Sequence, residues 1–379
     1  MHQQRAVFLH AKQIETLSYP PDSPFRTERA GMMAEILASM GLLSASHCAQ
    51  VEPPPADDAA VTQFHTPRYL QVMRDAERGE MGIEGLEMGL GTPETPVFRG
   101  MVDYAMLACG ATLAGVEMVL SGEATVAFNP SGGYHHAEPS RASGFCYIND
   151  VALACLALAE RGKRVLFLDV DVHHGDGVQN AFYSRADVMT MSFHETGETL
   201  FPGTGSVAEI GVGEGKGYSV NVPLPPGTYD EAYVKAFREV AVPLVGAFDP
   251  DVIVYEVGMD CLAGDPLANL SLTNGAYADV AEMVTGFGKP IVAAGGGGYH
   301  PRNSARGWAL VWSVLCGEGI DLHDMAMGAG GVMLESTEWR GGLRDRALVP
   351  DYEQLRSVGP AIEATIDALR ATVFPLHGL

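Results

Sequence analysis

From about residue 100 onward, short aliphatic and β-branched runs alternate with longer segments of helical periodicity, and few architectures accommodate that rhythm. The candidate strands are TVAF (125–128), RVLFLDV (164–170), VMTMSF (188–193), SVNVPL (219–224), VIVYEVG (252–258) and PIVAAGG (290–296). Between them lie INDVALACLALAERG, GVQNAFYS, DEAYVKAFREVAVPLVGAF, GAYADVAEMVTGFG and PRNSARGWALVWSVLCG, all helix-like. Strands joined by crossover helices build a parallel sheet, and runs this apolar are buried on both faces. The rhythm therefore predicts an α/β fold: a central, mostly parallel sheet flanked by helices on both faces.

VEPPPADDAA at 51 and MGIEGLEMGLGTPETPVF at 81 read as surface loops, and no internal repeat or long linker divides the chain. Residues 1–317 read as one domain. Residues 318–379 lose the alternation and end in the amphipathic EQLRSVGPAIEATIDALRATV, read as a helical extension packed on the domain or on a partner subunit. A homo-oligomer is compatible with that extension.

With 47% hydrophobic residues, the 379-residue chain has ample material for a core. The formal charge of −23 repels phosphate backbones, so nucleic acid is not an expected partner, whereas a cationic ligand or protein tail is tolerated. The start MHQQRAVFLHAK lacks the pattern of a cleaved leader, and no stretch reads as ~18 consecutive apolar residues; the expectation is a soluble, cytoplasmic protein with no membrane partner. Six cysteines without a CxxC pair read as reduced core thiols.

The chemistry concentrates in RVLFLDVDVHHGDG (164–177), where Asp169, Asp171, His173, His174 and Asp176 follow an aliphatic strand. Ionised carboxylates near a core are costly unless paired or bound to metal. In open α/β sheets, ligands bind beyond the carboxyl ends of the strands, which is where this cluster lies. If the chain stays extended, side chains 169, 171 and 173 share a face, with neighbours roughly 6.6 Å apart and the outer pair about 13 Å apart. Asp171 belongs to both pairs close enough to share an ion. A catalytic zinc takes about three protein ligands and keeps a position open. VIVYEVGMDCLAGDP offers Asp260 as the third, although Asp260 or Asp265 taken alone reads as a loop cap.

Two other segments have the same character. NPSGGYHHAEPSRASGF carries His135 and His136 in a glycine-rich loop, and AAGGGGYHPRNSAR carries Tyr299 after four glycines. GGGGYH lacks the spacing of a phosphate-binding loop, so close approach of backbone to a bound ligand explains it better.

With these segments in hand, the chain resembles the zinc-dependent histone deacetylase family, including its bacterial acetoin-utilisation-type members. The likeness runs through SGGYHHAEPSRASGFCYINDVALA, RVLFLDVDVHHGDGVQNAFY, SFHETGETLFPGTG, YSVNVPLPPGTYDEAY, VYEVGMDCLAGDPLANLSLT and AAGGGGYHPRNSARGW, in order. It implies an arginase/deacetylase-like fold for residues 1–317, with Asp171, His173 and Asp260 as ligands of Zn2+ or Fe2+. It implies that Asp169 and Asp176 partner His135 and His136, and that Asp169 and Ser192 contribute side chains to a structural K+ site. Phe145, Phe201 and Gly144 match the family's substrate channel, and Arg29 matches an internal-channel arginine. Many members place an aspartate on the channel rim; here Glu94, in GTPETPVF, stands nearest to it.

The implied reaction is hydrolysis of an acetyl-lysine side chain in a protein or peptide. His136 acts as general base and acid, His135 tunes the site, and Tyr299 donates to the oxyanion. Acetylated polyamines or other small acylamines are the alternative substrates, and an acyl-ligand sensor without turnover is the alternative class. A binuclear manganese ureohydrolase would need another carboxylate two residues after Asp260, where Leu262 stands.

Overall fold

The structure is a computed structural model and describes residues 5–318 and 343–379. Residues 319–342 of the expected C-terminal extension lie outside the described residues. Eight strands form one sheet: β1 (Ala6–Leu9), β2 (Cys48–Val51), β3 (Val126–Asn129), β4 (Val165–Asp169), β5 (Val188–Glu195), β6 (Ser219–Leu224), β7 (Val252–Glu256) and β8 (Ile291–Ala294). Their order is β2-β1-β3-β8-β7-β4-β5-β6, and every neighbouring pair is parallel. The α/β architecture is the expected one, and β3 to β8 fall where the alternation puts strands.

The N-terminal third adds two strands that the alternation does not reveal. AVFL is short, and CAQV is a partly exposed edge strand without an apolar face. The helices there are α1 (Arg29–Ser39), α2 (Asp58–Val61), α3 (Pro67–Glu77), α4 (Ile83–Glu87) and α5 (Met101–Leu120). Those that follow are α6 (Asp150–Ala159), α7 (Asp176–Phe182), α8 (Asp230–Phe248), α9 (Asn274–Gly286), α10 (Pro301–Leu315) and α11 (Tyr352–Thr372).

Helix α5 corrects one expectation, because by length and composition its 20 residues are apolar enough to cross a membrane. It is a core helix here: 72% of its most apolar window is buried within the protein. Gly110 lets it approach the loop at Pro54, since a Cβ there would lie 2.2 Å from the Pro54 carbonyl oxygen.

Alternation along the strands sends successive side chains to opposite helical layers. Leu166 and Leu168 join a core with residues of α1, α8, α9 and α10. Val165 and Phe167 join one with α5 and α6 on the other face. Helix α11 starts at a capping box formed by Asp351 and Gln354, and buries Val358, Ile362, Ile366 and Leu369. It packs against α8 and edge strand β6, tied by the ion pairs Lys235–Glu363 and Arg370–Glu239. All six cysteines are free thiols.

Candidate active site

The sheet order fixes where a site can form. From β4 the chain proceeds outward through β5 and β6; β7 then returns beside β4, and β8 continues towards β3. The strand order thus reverses between β4 and β7, leaving a crevice beyond their carboxyl ends. Asp171 and His173 follow β4, Asp260 follows β7, His135 and His136 follow β3, and Tyr299 follows β8.

The extended geometry behind the sequence spacing ends at Asp169, the last residue of β4. There the chain turns: Asp169 Oδ1 accepts from the Asp171 N–H at 3.0 Å, and Asp171 Oδ1 accepts from the His173 N–H at 2.9 Å. Such aspartate turns override strand alternation. As a result His173 Nδ1 lies 3.1 Å from Asp171 Oδ1 and 3.1 Å from Asp260 Oδ2. Asp260 Oδ1 ties the two loops together by accepting from the Val172 N–H at 2.9 Å.

Glycines make room for these carboxylates. A Cβ on Gly258 would lie 2.0 Å from Asp171 Oδ2, and one on Gly297 would lie 2.1 Å from Asp260 Oδ2. The Gly297 N–H also donates to Asp171 Oδ2 at 2.7 Å. The four-glycine run therefore packs first on the acidic side chains, rather than only on a ligand.

Three buried donors of types that suit a borderline divalent cation thus converge on one point. Burial opposes a charge on His173, yet its hydrogen bonds to Asp171 and Asp260 push its pKa up to about 10. Burial and the nearby Asp171 charge raise Asp260 to about 7. Two carboxylates gathered around one imidazole demand a positive charge. A divalent metal fits this group.

The start of α6 anchors the histidine loop. Asp150 Oδ1 accepts from the Gly133 and Tyr134 N–H groups at 3.1 and 2.9 Å, and Asn149 Nδ2 donates to the His135 and Ala137 carbonyls at 3.2 and 2.8 Å. His136 Nδ1 meets Asp176 Oδ1 at 2.7 Å, and His135 Nδ1 meets Asp169 Oδ2 at 3.1 Å. Carboxylates at both Nδ1 atoms favour protonated Nδ1 and leave the two Nε2 atoms facing each other at 3.0 Å. Burial and the His135 charge lower His136 to about 4. Burial opposes a charge on His135 too, but Glu256, Asp169 and Asp171 outweigh it and raise that pKa well above the usual histidine range.

The Tyr299 N–H donates to Asp265 Oδ2 at 2.7 Å, while Asp265 Oδ1 accepts from Leu267 N–H at 2.9 Å. Asp265 is thus a loop cap that seats the tyrosine. Burial, with the Asp260 and Asp171 charges, raises the Tyr299 phenol well above its usual value and keeps it a donor. Its ring lies 6.2 Å from the His173 ring and 5.5 Å from Phe145, which is mostly buried at a positive φ of 64°. Phe201 is 39% exposed and packs 5.0 Å from the His136 ring. Gly144 abuts both rings, since a Cβ there would lie 2.5 Å from His136 Cδ2 and 3.0 Å from Phe201 Cε1.

Glu94 is exposed on a loop beside residues 142–147, with no hydrogen bond or ion pair among the described residues. Arg29 is buried; its guanidinium donates to the Gly298 and Gly296 carbonyls at 2.6 and 3.1 Å and lies over Phe25 and Trp308. Ser192 pairs with Asp169 in register, its Oγ 3.4 Å from Asp169 Oδ2 and 2.9 Å from His194 Nδ1. Sequence reasoning missed Asn149, Asp150 and Glu256. Only Glu256 carries a signal, a lone acid in the aliphatic run VIVYEVG.

A doubly flanked parallel sheet with this buried group at its switch point defines an arginase/deacetylase-like fold built around a candidate metal centre. The family profile of the histone deacetylase domain matches residues 23–315. Histone deacetylase 8 of Xenopus tropicalis is 40% identical over 313 residues, covering 82% of this chain and 84% of that protein. Acetoin utilization protein AcuC of Bacillus subtilis (strain 168) is 39% identical over 324 residues, covering 83% of each. The crystal structure of an HDAC homolog from Aquifex aeolicus superposes with a TM-score of 0.83 at 31% identity, covering 96% of this chain and 99% of that one. The chain belongs to the histone deacetylase family and is a hydrolase of that family.

Proposed function

We propose that this hydrolase removes the acetyl group of N-ε-acetyl-lysine in proteins or peptides, giving lysine and acetate, and that it uses one Zn2+, with Fe2+ as a substitute. The observation that carries the reading is the convergence of Asp171, His173 and Asp260 at a cavity that Asp171 and His173 line together with His136 and Tyr299. A divalent metal held by those three residues supplies Lewis acidity to the amide carbonyl and lowers the pKa of water. His136, neutral at pH 7, takes the proton of the attacking water at Nε2, which turns from its 3.0 Å contact with His135 Nε2 to the water, and returns it to the amine as the C–N bond breaks. His135, charged beside it, offsets negative charge that develops on the acyl oxygen. The Tyr299 phenol donates a hydrogen bond to the same oxygen, while Phe145 and Phe201 wall the lysine methylenes and exclude water. Asp169 and Ser192 support a K+ ion behind the site.

The exposed Glu94 carboxylate and the charge of −23 favour a second substrate class, acetylated polyamines, whose amines an acidic rim would attract. Acetate release from an acetyl-lysine peptide and from an acetylated polyamine, measured side by side on zinc-loaded protein, separates the two. A higher kcat/KM on the peptide supports the main reading, and the reverse supports the second. A loaded protein inert on both would favour a sensor and overturn the proposal.

A further inference from the structure

Glu256 ends β7, in register with Asp169 on β4. It is fully buried, and neither carboxyl oxygen has a hydrogen-bond partner among the described residues. Its Oε1 lies 3.1 Å from His135 Nδ1, the same atom that Asp169 Oδ2 reaches at 3.1 Å. Strand alternation puts Glu256 on the face of Val252 and Val254, which pack in the apolar layer beneath α5 and α6. No arginine or lysine pairs with it among the described residues. An acid is a costly occupant of such a place, where leucine or glutamine of similar volume would avoid the desolvation of a carboxyl group. What distinguishes glutamate there is its contact with His135.

We propose that Glu256 is a positioning residue, which with Asp169 forms a two-carboxyl clamp on Nδ1 of His135 and fixes that ring against His136. The inference rests on the deacetylase reading, because Glu256 acts through His135. A single acceptor leaves an imidazole free to swing about one hydrogen bond; here Asp169 takes the hydrogen bond, and the Glu256 carboxyl on the adjacent strand, 3.1 Å from the same nitrogen, blocks that swing by contact and charge. Nε2 is thereby aimed at His136 Nε2, 3.0 Å away. Gly175 closes the remaining side, for a Cβ there would lie 2.6 Å from Asp169 Oδ2 and 3.3 Å from His135 Nδ1. The clamp touches no substrate, and His135 remains the group that faces the cavity.

Glu256→Leu and Glu256→Gln test the clamp in the full-length, zinc-loaded protein through three readouts: metal content, the split between kcat and KM, and the ring N–H resonances of histidine in 15N-labelled protein. The His135 Nδ1–H signal is assigned by its absence from His135→Gln. Glu256→Leu is expected to shift that signal and to lower kcat by about 10- to 100-fold, with KM and metal content unchanged. Glu256→Gln keeps a polar oxygen beside Nδ1 and is expected to recover part of the loss. An unshifted signal in Glu256→Leu overturns the clamp, as does loss of one metal equivalent in Glu256→Gln, which would make Glu256 a ligand. The resonance reads the clamp even if the wild type fails to hydrolyse acetyl-lysine, so the two failures are distinguishable.

Discussion

Asp171 and Tyr299 lie in one cavity but answer to different measurements. Asp171→Ala removes a carboxylate from the three-donor group and is expected to abolish stoichiometric metal binding by elemental analysis. On the proposed mechanism, Tyr299→Phe keeps the metal and loses a single oxyanion donor, and is expected to lower kcat by about 10²- to 10³-fold. Normal turnover in Tyr299→Phe would remove the phenol from the mechanism. Gly297→Ala tests the packing behind the ligands: its Cβ would meet Asp260 Oδ2 at 2.1 Å, so metal affinity should fall while the fold persists. Unchanged affinity would mean that the loop yields. The ligands also make a pH prediction. Without metal, His173, raised to about 10, carries a proton at pH 7, whereas a metal ligand must be neutral. Zinc binding should therefore release protons, and affinity should rise with pH up to about 10. Calorimetry in buffers of different ionisation enthalpy reads the released proton, and a buffer-independent heat would contradict it.

At the scale of elements, RVLFLDV is legible because β4 is continuously aliphatic and its acids stand at a strand end. CAQV is not, because an edge strand needs no apolar face. Helix α5 is so evenly apolar that it offers no periodicity to read. The convergence of Asp171 with His173 was legible only in part, since turns after Asp169, not strand alternation, bring them together. The clamp on His135 needs β4 and β7 as neighbours, which no local pattern specifies. Helix α11 was legible from its amphipathic stripe, and its seat on β6 and α8 is testable. Ile366 is fully buried there, so Ile366→Ala should cost about 2–5 kcal/mol in denaturant unfolding and leave metal stoichiometry intact. No loss of stability would mean that α11 contributes little to the domain.

For the whole molecule, the strand order matters more than any one element. Because β4 leads outward one way and β7 to β8 the other, loops from both sides of the reversal meet over one crevice. The chemistry is thereby spread over segments far apart in the chain, from His135 to Tyr299. The proposed function rests on a single divalent ion gripped by Asp171, His173 and Asp260. Anomalous diffraction at the zinc edge from crystals of the zinc-loaded protein tests this most directly. One peak within coordination distance of all three side chains is the predicted result, and a peak elsewhere, or none at that site, would contradict it.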